Sequence, residues 1–90
     1  MLDAQHIGAM VRFHRKKARL SRVALADLAG VGKTLIFEIE NGKATVRLNT
    51  LAKVLDTLNI RAQWVSPLMP AFEAFRSSQG GDVGEGEDHA

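Results

Sequence analysis

The chain has 90 residues, enough for one domain that buries only about 60% of its unfolded surface, so a second copy would help to stabilise it. It has no cysteine, which excludes disulfides and thiolate metal sites, and its three histidines lack metal-ligand spacing. Neither a leader peptide nor an apolar run of the ~18 residues that span a bilayer is recognisable. We therefore expect a soluble, unprocessed cytoplasmic protein with no membrane partner, metal or cofactor.

The net charge of +2 is unevenly distributed along the chain. Residues 1–76 hold 12 basic and 6 acidic residues, a net charge of +6, whereas residues 77–90 hold four acidic residues and no Lys or Arg. Six of the cations lie between Arg12 and Arg22. Such a cluster is typical of a phosphate-binding surface, and a merely solvated helix face is the alternative interpretation.

The first predicted helix begins at an Asp3 cap, and its inward stripe includes Ile7, Val11 and His14. For His14 we favour a neutral, partly buried side chain with one hydrogen bond over a pH-sensitive group in the core. Arg15 borders the same stripe. It can therefore reach a partner on a neighbouring helix.

Residues 20–42, LSRVALADLAGVGKTLIFEIENG, predict two short helices joined by a tight turn. Ser21 can cap the first of them, and Gly30 can end it in the left-handed conformation. The apolar face of this helix would carry Leu25, Leu28 and Ala29. Two helices joined in this way form the helix-turn-helix, whose second helix enters the DNA major groove.

The second helix of the pair is predicted from Lys33 to the end signal at Asn41 and Gly42. The residues on its outward side, predicted to read base edges, are Lys33, Thr34, Phe37 and Glu38. The residues predicted to contact phosphates are Ser21, Arg22, Asn41, Lys43, Thr45 and Arg47.

An enzyme is not indicated. Residues 30–34, GVGKT, resemble the end of a phosphate-binding P-loop, but the first glycine of that motif would fall at Asp27. A P-loop also follows a strand, whereas helix precedes this stretch. No nucleophile and base, metal cluster or carboxylate pair offers another catalytic site.

This region resembles the XRE family, the helix-turn-helix of the Cro and lambda-repressor type. The matching residues are Leu20, Ser21, Leu25, Ala26, Leu28, Ala29, Gly30, Val31, Ile36, Ile39, Glu40, Asn41 and Gly42. The resemblance implies an all-α, lambda-repressor-like bundle of four to five helices. It also implies a buried salt bridge between Arg15 and Glu40 and a phosphate contact by Asn41. The chain departs from the family where Arg22 replaces the usual Gln and Gly32 the usual capping Ser.

A further helix is predicted from Leu48 to a closing Asn59, because apolar residues recur at helical spacing along it. The residues predicted to lie in the core are Leu48, Leu51, Val54, Leu55 and Leu58. Residues 60–65 then alternate like a short strand, and an unpaired strand invites the same strand of a second copy. The residues predicted to form this dimer contact are Ile60, Ala62, Trp64 and Val65. Within the XRE family the layout is most similar to HipB-like antitoxins, whose terminal strands pair across a dimer.

We expect the DNA-binding and dimerisation domain to span residues 3–65. Residues 66–76 form a predicted partner-binding segment, which either packs back on the domain or docks on another protein. The apolar residues of this segment are Leu68, Met69, Phe72 and Phe75. Residues 77–90 are acidic and Gly-rich and are predicted to be disordered.

The leading functional hypothesis is a nucleoid-associated, sequence-specific repressor that acts as the HipB-like antitoxin of a toxin-antitoxin operon. It would repress its own operon as a homodimer on an inverted-repeat operator and bind a cognate toxin, for which a HipA-like kinase is one candidate. A phage or mobile-element repressor without a toxin is the first alternative. A protein-binding adaptor of the same fold is the second, and it would have a weak basic surface.

Overall fold

The computed structural model describes residues 3–79, and this part of the chain contains five helices and no strand. The predicted all-α bundle is confirmed. None of these helices has the length and apolar character needed to cross a membrane. In chain order the helices are α1 (Ala4–Lys17), α2 (Arg22–Ala29), α3 (Lys33–Glu40), α4 (Leu48–Thr57) and α5 (Met69–Ser78).

Helices α1 and α2 begin at the predicted capping residues, and in both the side chain makes the capping hydrogen bond. Asp3 Oδ1 accepts a hydrogen bond from the Gln5 backbone N–H at 2.9 Å and begins α1. Ser21 Oγ accepts from the Ala24 N–H at 3.0 Å and begins α2. Helix α3 has no side-chain cap, because its cap residue is Gly32.

Four of the helices end in the same way, at a residue with positive φ that turns the chain out of the helix. These residues are Arg19 (φ 60°), Gly30 (74°), Gly42 (80°) and Asn59 (60°). The N–H of the following residue donates back to a carbonyl of the helix, as in a Schellman motif. The donor and acceptor pairs are Leu20 to Arg15, Val31 to Ala26, Lys43 to Glu38 and Ile60 to Leu55.

The core lies where α3 packs between α1 and α2 and where α4 packs on α2. Its fully buried members are Val11, Leu25, Ala26, Ile36, Ile39 and Val54. Two predicted core positions are wrong, since Leu28 is 65% and Leu48 is 78% exposed. The buried side of α2 is centred between Leu25 and Ala26, and at about 100° per residue Leu28 lies about 110° from that centre. Leu48 stands at the first position of α4, before the helix meets the core.

Helices α1 and α3 lie very close together at Gly8. A Cβ atom on Gly8 would overlap the carbonyl oxygen of Ile39 and lie 3.0 Å from that of Glu40. Real side chains do not approach backbone this closely. The absence of a side chain at Gly8 thus sets how near α1 comes to the last turn of α3.

The predicted strand at residues 60–65 is absent from the single chain. Residues 61–66 have no regular secondary structure, and in the described part of the chain no backbone N–H between Arg61 and Val65 donates to another backbone group. A strand requires a hydrogen-bonded neighbour, which this all-helical bundle does not supply. Pairing with a second copy stays a prediction.

The predicted start of the disordered tail is also wrong. Residues 77 and 78 belong to the last turn of α5, where Ser78 Oγ donates to the Phe75 carbonyl at 2.8 Å. The helix that begins at Met69 continues into the two serines. The acidic part of the tail, residues 80–90, lies outside the described residues.

Candidate DNA interface

Helix α3 presents one side to the core and the other to solvent. Ile36 and Ile39 are buried, whereas the residues predicted to read bases lie on the opposite side. Lys33, Thr34 and Phe37 are exposed and Glu38 is half-buried. Four side chains with different chemistry thus form one surface, a cation, a hydroxyl, an aromatic ring and a carboxylate. We call Lys33, Thr34, Phe37 and Glu38 the reading face.

An ion pair between Arg15 and Glu40 joins α1 to the last turn of α3. Arg15 Nε donates to Glu40 Oε2 at 2.5 Å and Nη2 donates to Oε1 at 3.1 Å, while Nη1 donates to the Leu20 carbonyl at 2.9 Å. The two side chains are 8% and 2% exposed. The guanidinium therefore holds α3 and the end of α1 together in a fixed geometry.

Glu40 has a second cationic partner in Arg22, the first residue of α2. Arg22 Nε donates to Glu40 Oε1 at 3.1 Å, and the Arg22 side chain remains 41% exposed. Burial raises the pKa of the Glu40 carboxyl, but the hydrogen bonds and charges of Arg15 and then of Arg22 outweigh burial and lower that pKa below its usual range. Glu40 is therefore ionised and links three helices.

Three of the predicted phosphate contacts touch residues of the reading face. Arg22 lies over the Phe37 ring, with 5.6 Å from Cζ to the ring centroid. Asn41 Nδ2 donates to the Phe37 carbonyl at 2.8 Å, and Lys43 Nζ lies 3.2 Å from Glu38 Oε2. Arg22, Asn41 and Lys43 are thus continuous with the reading face.

The other predicted phosphate contacts, Ser21, Thr45 and Arg47, are exposed and lie outside α3. Ser21 is exposed, and although its oxygen caps α2 its hydroxyl hydrogen can still be donated. Thr45 and Arg47 are exposed in the loop between α3 and α4. Both side chains are therefore accessible to solvent.

The basic cluster between Arg12 and Arg22 is smaller at the surface than its sequence indicates. Arg15 is buried and paired, which leaves five cations that reach solvent. One of them, Lys17, lies over the exposed Phe13 ring, 5.5 Å from its centroid. His14 Nδ1 lies 2.7 Å from the Met10 carbonyl oxygen, in keeping with the single hydrogen bond expected of a partly buried histidine.

Sequence reasoning missed the contacts that join Arg22 to Glu40 and Phe37, and Lys43 to Glu38. Two signals were present. Phe37 and Glu40 are three residues apart on a helix and share a side of it, and an arginine stands where relatives carry glutamine. A longer, charged side chain at Arg22 can reach both.

The predicted dimer and partner residues lie outside the bundle core. Trp64 is 67% and Val65 84% exposed, Ala62 is exposed and Ile60 is half-buried. Phe72 and Phe75, 49% and 59% exposed, lie three residues apart on α5. Leu68 is exposed as well, and Met69 is half-buried.

The GVGKT stretch at residues 30–34 is the turn between α2 and α3, so helix and not strand precedes it. This placement agrees with the rejection of a P-loop. The turn instead fixes the angle between the two helices.

A family model described as Helix-turn-helix (HTH_3) matches residues 11–65, which run from the middle of α1 to the segment after α4. The chain belongs to this helix-turn-helix family. It is accordingly a DNA-binding transcription regulator of the helix-turn-helix type.

Two relatives illustrate the reach of the helix-turn-helix family. An uncharacterized HTH-type transcriptional regulator, y4mF of Sinorhizobium fredii, is 39% identical over 61 residues, which are 68% of this chain and 80% of that protein. The ImmF control region 10 kDa protein of Bacillus phage phi105 is 30% identical over 60 residues, 67% of each chain. A solved structure named MDT Protein shares the fold, with a TM-score of 0.67 and 18% identity over 74% of this chain and 94% of that one.

Proposed function

We propose that this chain is a sequence-specific repressor that binds an inverted-repeat operator as a homodimer. The observation that carries the proposal is the reading face on α3, which the Arg15 and Glu40 pair holds in place and which adjoins the predicted phosphate contacts Arg22, Asn41 and Lys43. Two copies related by two-fold symmetry would put their α3 helices in successive major grooves, about 34 to 36 Å apart.

Each side chain of the reading face has a distinct use in the groove. Lys33 can donate to guanine, Thr34 can contact a base edge or a thymine methyl group, and Glu38 can accept from cytosine. Phe37 can pack on thymine methyl groups. Lys43 offsets the negative charge of Glu38, which would otherwise oppose the approach of phosphates.

The experiment measures binding to a selected operator and to scrambled DNA over a range of salt concentrations. Lys33→Ala should cost about 1 to 3 kcal/mol per half-site on the operator and relax the preference at one base pair. Arg47→Ala, a matched change at an exposed phosphate contact, should weaken binding to both DNAs alike and lower the salt slope by about 1 per protomer. Equal losses from both variants on both DNAs would place the recognition surface elsewhere.

Dimerisation through residues 60–65 supports the same function. Because Trp64 and Val65 are exposed and their backbone N–H groups donate to no other backbone group within residues 3–79, pairing with a second copy would satisfy both. A chain ending at Asn59 should be monomeric by sedimentation and should bind the operator much more weakly. A dimer that persists in that variant would move the interface into the bundle.

The finer role that we propose is that of an antitoxin, residing on the cytoplasmic nucleoid and binding a cognate toxin such as a HipA-like kinase. Its support is the resemblance to HipB-like antitoxins together with the exposed Leu68, Phe72 and Phe75 outside the bundle. In this arrangement residues 3–65 bind DNA and residues 66–76 bind the toxin. Purification of the full chain from its native cells with the product of the neighbouring reading frame tests this role.

A phage-type repressor without a toxin is the second candidate. The similarity to the ImmF control region protein of phage phi105 favours it. In that case α5 would carry no toxin, and the chain would purify alone while operator binding persists. The adaptor hypothesis predicts a weak basic surface, which the five solvent-accessible cations of the cluster oppose.

A further inference from the structure

Arg22, Phe37 and Glu40 form a stacked unit at the edge of the reading face, and we call these three residues the Arg22 cluster. The carboxylate of Glu40 is almost wholly buried and accepts from Arg22 Nε at 3.1 Å. The Arg22 guanidinium in turn lies over the Phe37 ring at 5.6 Å, within the range of a cation–π contact. A buried anion, a half-exposed cation and an exposed ring thus follow one another from the core to the surface.

The buried end of the cluster is rigid. Glu40 is held at both oxygens by Arg15, whose third nitrogen is bound to the Leu20 carbonyl. One cation already balances the Glu40 charge, so Arg22 contributes its positive charge to the surface in excess. Within residues 3–79 its two Nη atoms have no hydrogen-bond partner.

The exposed end of the cluster is the Phe37 ring, which is 53% exposed on the reading face. A phenyl ring on a helix surface normally moves among rotamers, and ordering it on binding costs free energy. The Arg22 guanidinium covers one face of the ring and restricts that movement before DNA arrives. The uncovered part of the ring is left for the groove.

We propose that Arg22 is a positioning residue for base recognition, which holds the Phe37 ring against a thymine methyl group. This deepens the proposed function and rests on it, since it requires that α3 occupies the major groove. It gives Arg22 a role in choosing sequence beyond the phosphate contact expected from its charge. The anchored Nε and the planar guanidinium perform this role, and charge alone does not.

The substitution Arg22→Lys separates the two roles, because Lys keeps the charge but lacks both the planar group and the Nε donor at that position. Arg22→Gln is the second variant, and it removes the charge and the stacking cation together. Arg76→Lys is the matched control, the same change at an exposed arginine of α5, outside the DNA-binding surface. Melting curves of all variants establish that the bundle is folded.

The probe is the operator selected from random DNA with the unaltered protein, prepared again with uracil in place of each thymine in turn. Uracil lacks only the methyl group. We expect the unaltered protein to lose about fourfold in affinity at one thymine per half-site, the equivalent of about 0.8 kcal/mol for one buried methyl-sized group. Phe37→Ala should abolish this loss and so identify the thymine that the ring contacts.

Arg22→Lys should lose the uracil discrimination while its affinity for scrambled DNA stays within about twofold of the original and its salt slope changes by less than about 0.5 per protomer. Arg22→Gln should lose the discrimination and also lower the salt slope by about 1 per protomer. Arg76→Lys should keep both. Retained uracil discrimination in Arg22→Lys or in Arg22→Gln would overturn the positioning role and leave Arg22 as a phosphate contact. No preference of the unaltered protein for its selected operator over scrambled DNA would instead overturn the proposed function itself.

Discussion

The helical bundle of residues 3–60 and the C-terminal arm of residues 61–79 differ in whether their apolar side chains are buried or exposed. The bundle buries six apolar side chains completely and ends its four helices with Schellman turns. The arm has no buried residue in α5, and it contains half of the ten large exposed apolar side chains of the described chain, namely Trp64, Val65, Leu68, Phe72 and Phe75. The bundle supplies its own contacts, and we infer that the arm exists to meet another surface.

The largest effect on the stability of the bundle should come from Arg15→Ala, which removes one partner of the ion pair that joins α1 to α3. Removing the guanidinium leaves the Glu40 carboxylate buried with only the half-exposed Arg22 as a partner. We expect a loss of about 3 to 5 kcal/mol in the free energy of unfolding, measured by urea denaturation. The control is Lys16→Ala at the next residue of α1, whose side chain is exposed, and it should change the free energy of unfolding by less than about 0.5 kcal/mol. Equal stability of the two variants would refute the structural role of the pair.

Acid should weaken the same pair without a mutation. Because the pKa of Glu40 is lower in the folded chain than in the unfolded one, its contribution to stability is complete above the ordinary glutamate pKa of about 4.3 and is lost as the pH falls through the lowered folded value. Unfolding of the original protein should thus become easier below about pH 4. In Arg15→Ala this acid dependence should be smaller, and an unchanged pH profile in that variant would contradict the assignment to Glu40.

The next largest effect should come from Gly8→Ala, at the close approach of α1 and α3. The added methyl group would overlap the Ile39 carbonyl, so the two helices must separate. We expect a net loss of about 2 to 3 kcal/mol even though alanine is the better helix former by about 1 kcal/mol. Gly32→Ala is the matched control, since a Cβ there has no atom within 4 Å and the φ of −72° suits any residue. A gain in stability from Gly8→Ala would show that the helices do not touch there.

The close approach of α1 and α3 at Gly8 was not predictable from the sequence, whereas the helix ends were. Helix starts and ends depend on the residue itself and its immediate neighbours, so Asp3, Ser21, Gly30 and Asn59 were predictable from local rules. The approach at Gly8 depends on contact with Ile39, which is 31 residues further along the chain and in another helix. A single sequence offers no local signal for it.

The candidate site divides in the same way. The reading face follows from helical periodicity, and the Arg15 and Glu40 pair from a family resemblance, so both were within reach of the sequence. The contacts of Arg22 with Glu40 and Phe37 depend on the angle between α2 and α3. No local sequence pattern specifies this angle. The predicted strand at residues 60–65 is absent from the single chain because the alternation of apolar and polar residues depends only on the segment itself. It carries no information on whether a second strand is present to pair with it.

A smaller effect should come from Arg19→Gly at the end of α1. Arg19 has φ of 60°, a conformation that strains a side chain other than Gly, Asn or Asp. Glycine should relieve that strain and stabilise the bundle by about 0.5 to 1 kcal/mol in thermal unfolding. Asn59→Gly, at the same type of turn, should gain less because asparagine tolerates the conformation. A loss of stability in Arg19→Gly would mean that the arginine side chain itself is held in place.

The smallest effect on the bundle, and the sharpest test of the comparison, should come from the double change Phe72→Ser and Phe75→Ser in α5. Both rings are about half exposed and none of the α5 residues is buried, so the free energy of unfolding should change by less than about 0.5 kcal/mol. Co-purification of the neighbouring gene product with the full chain should nevertheless fall, while affinity for the operator stays unchanged. Leu28→Ser, which removes a similarly exposed apolar side chain from the bundle, should leave that co-purification intact. A loss of more than about 1 kcal/mol in the double variant would show that α5 packs back on the bundle, and the arm would then be part of the domain. An unchanged partner yield with unchanged stability would assign the apolar face of α5 to neither role.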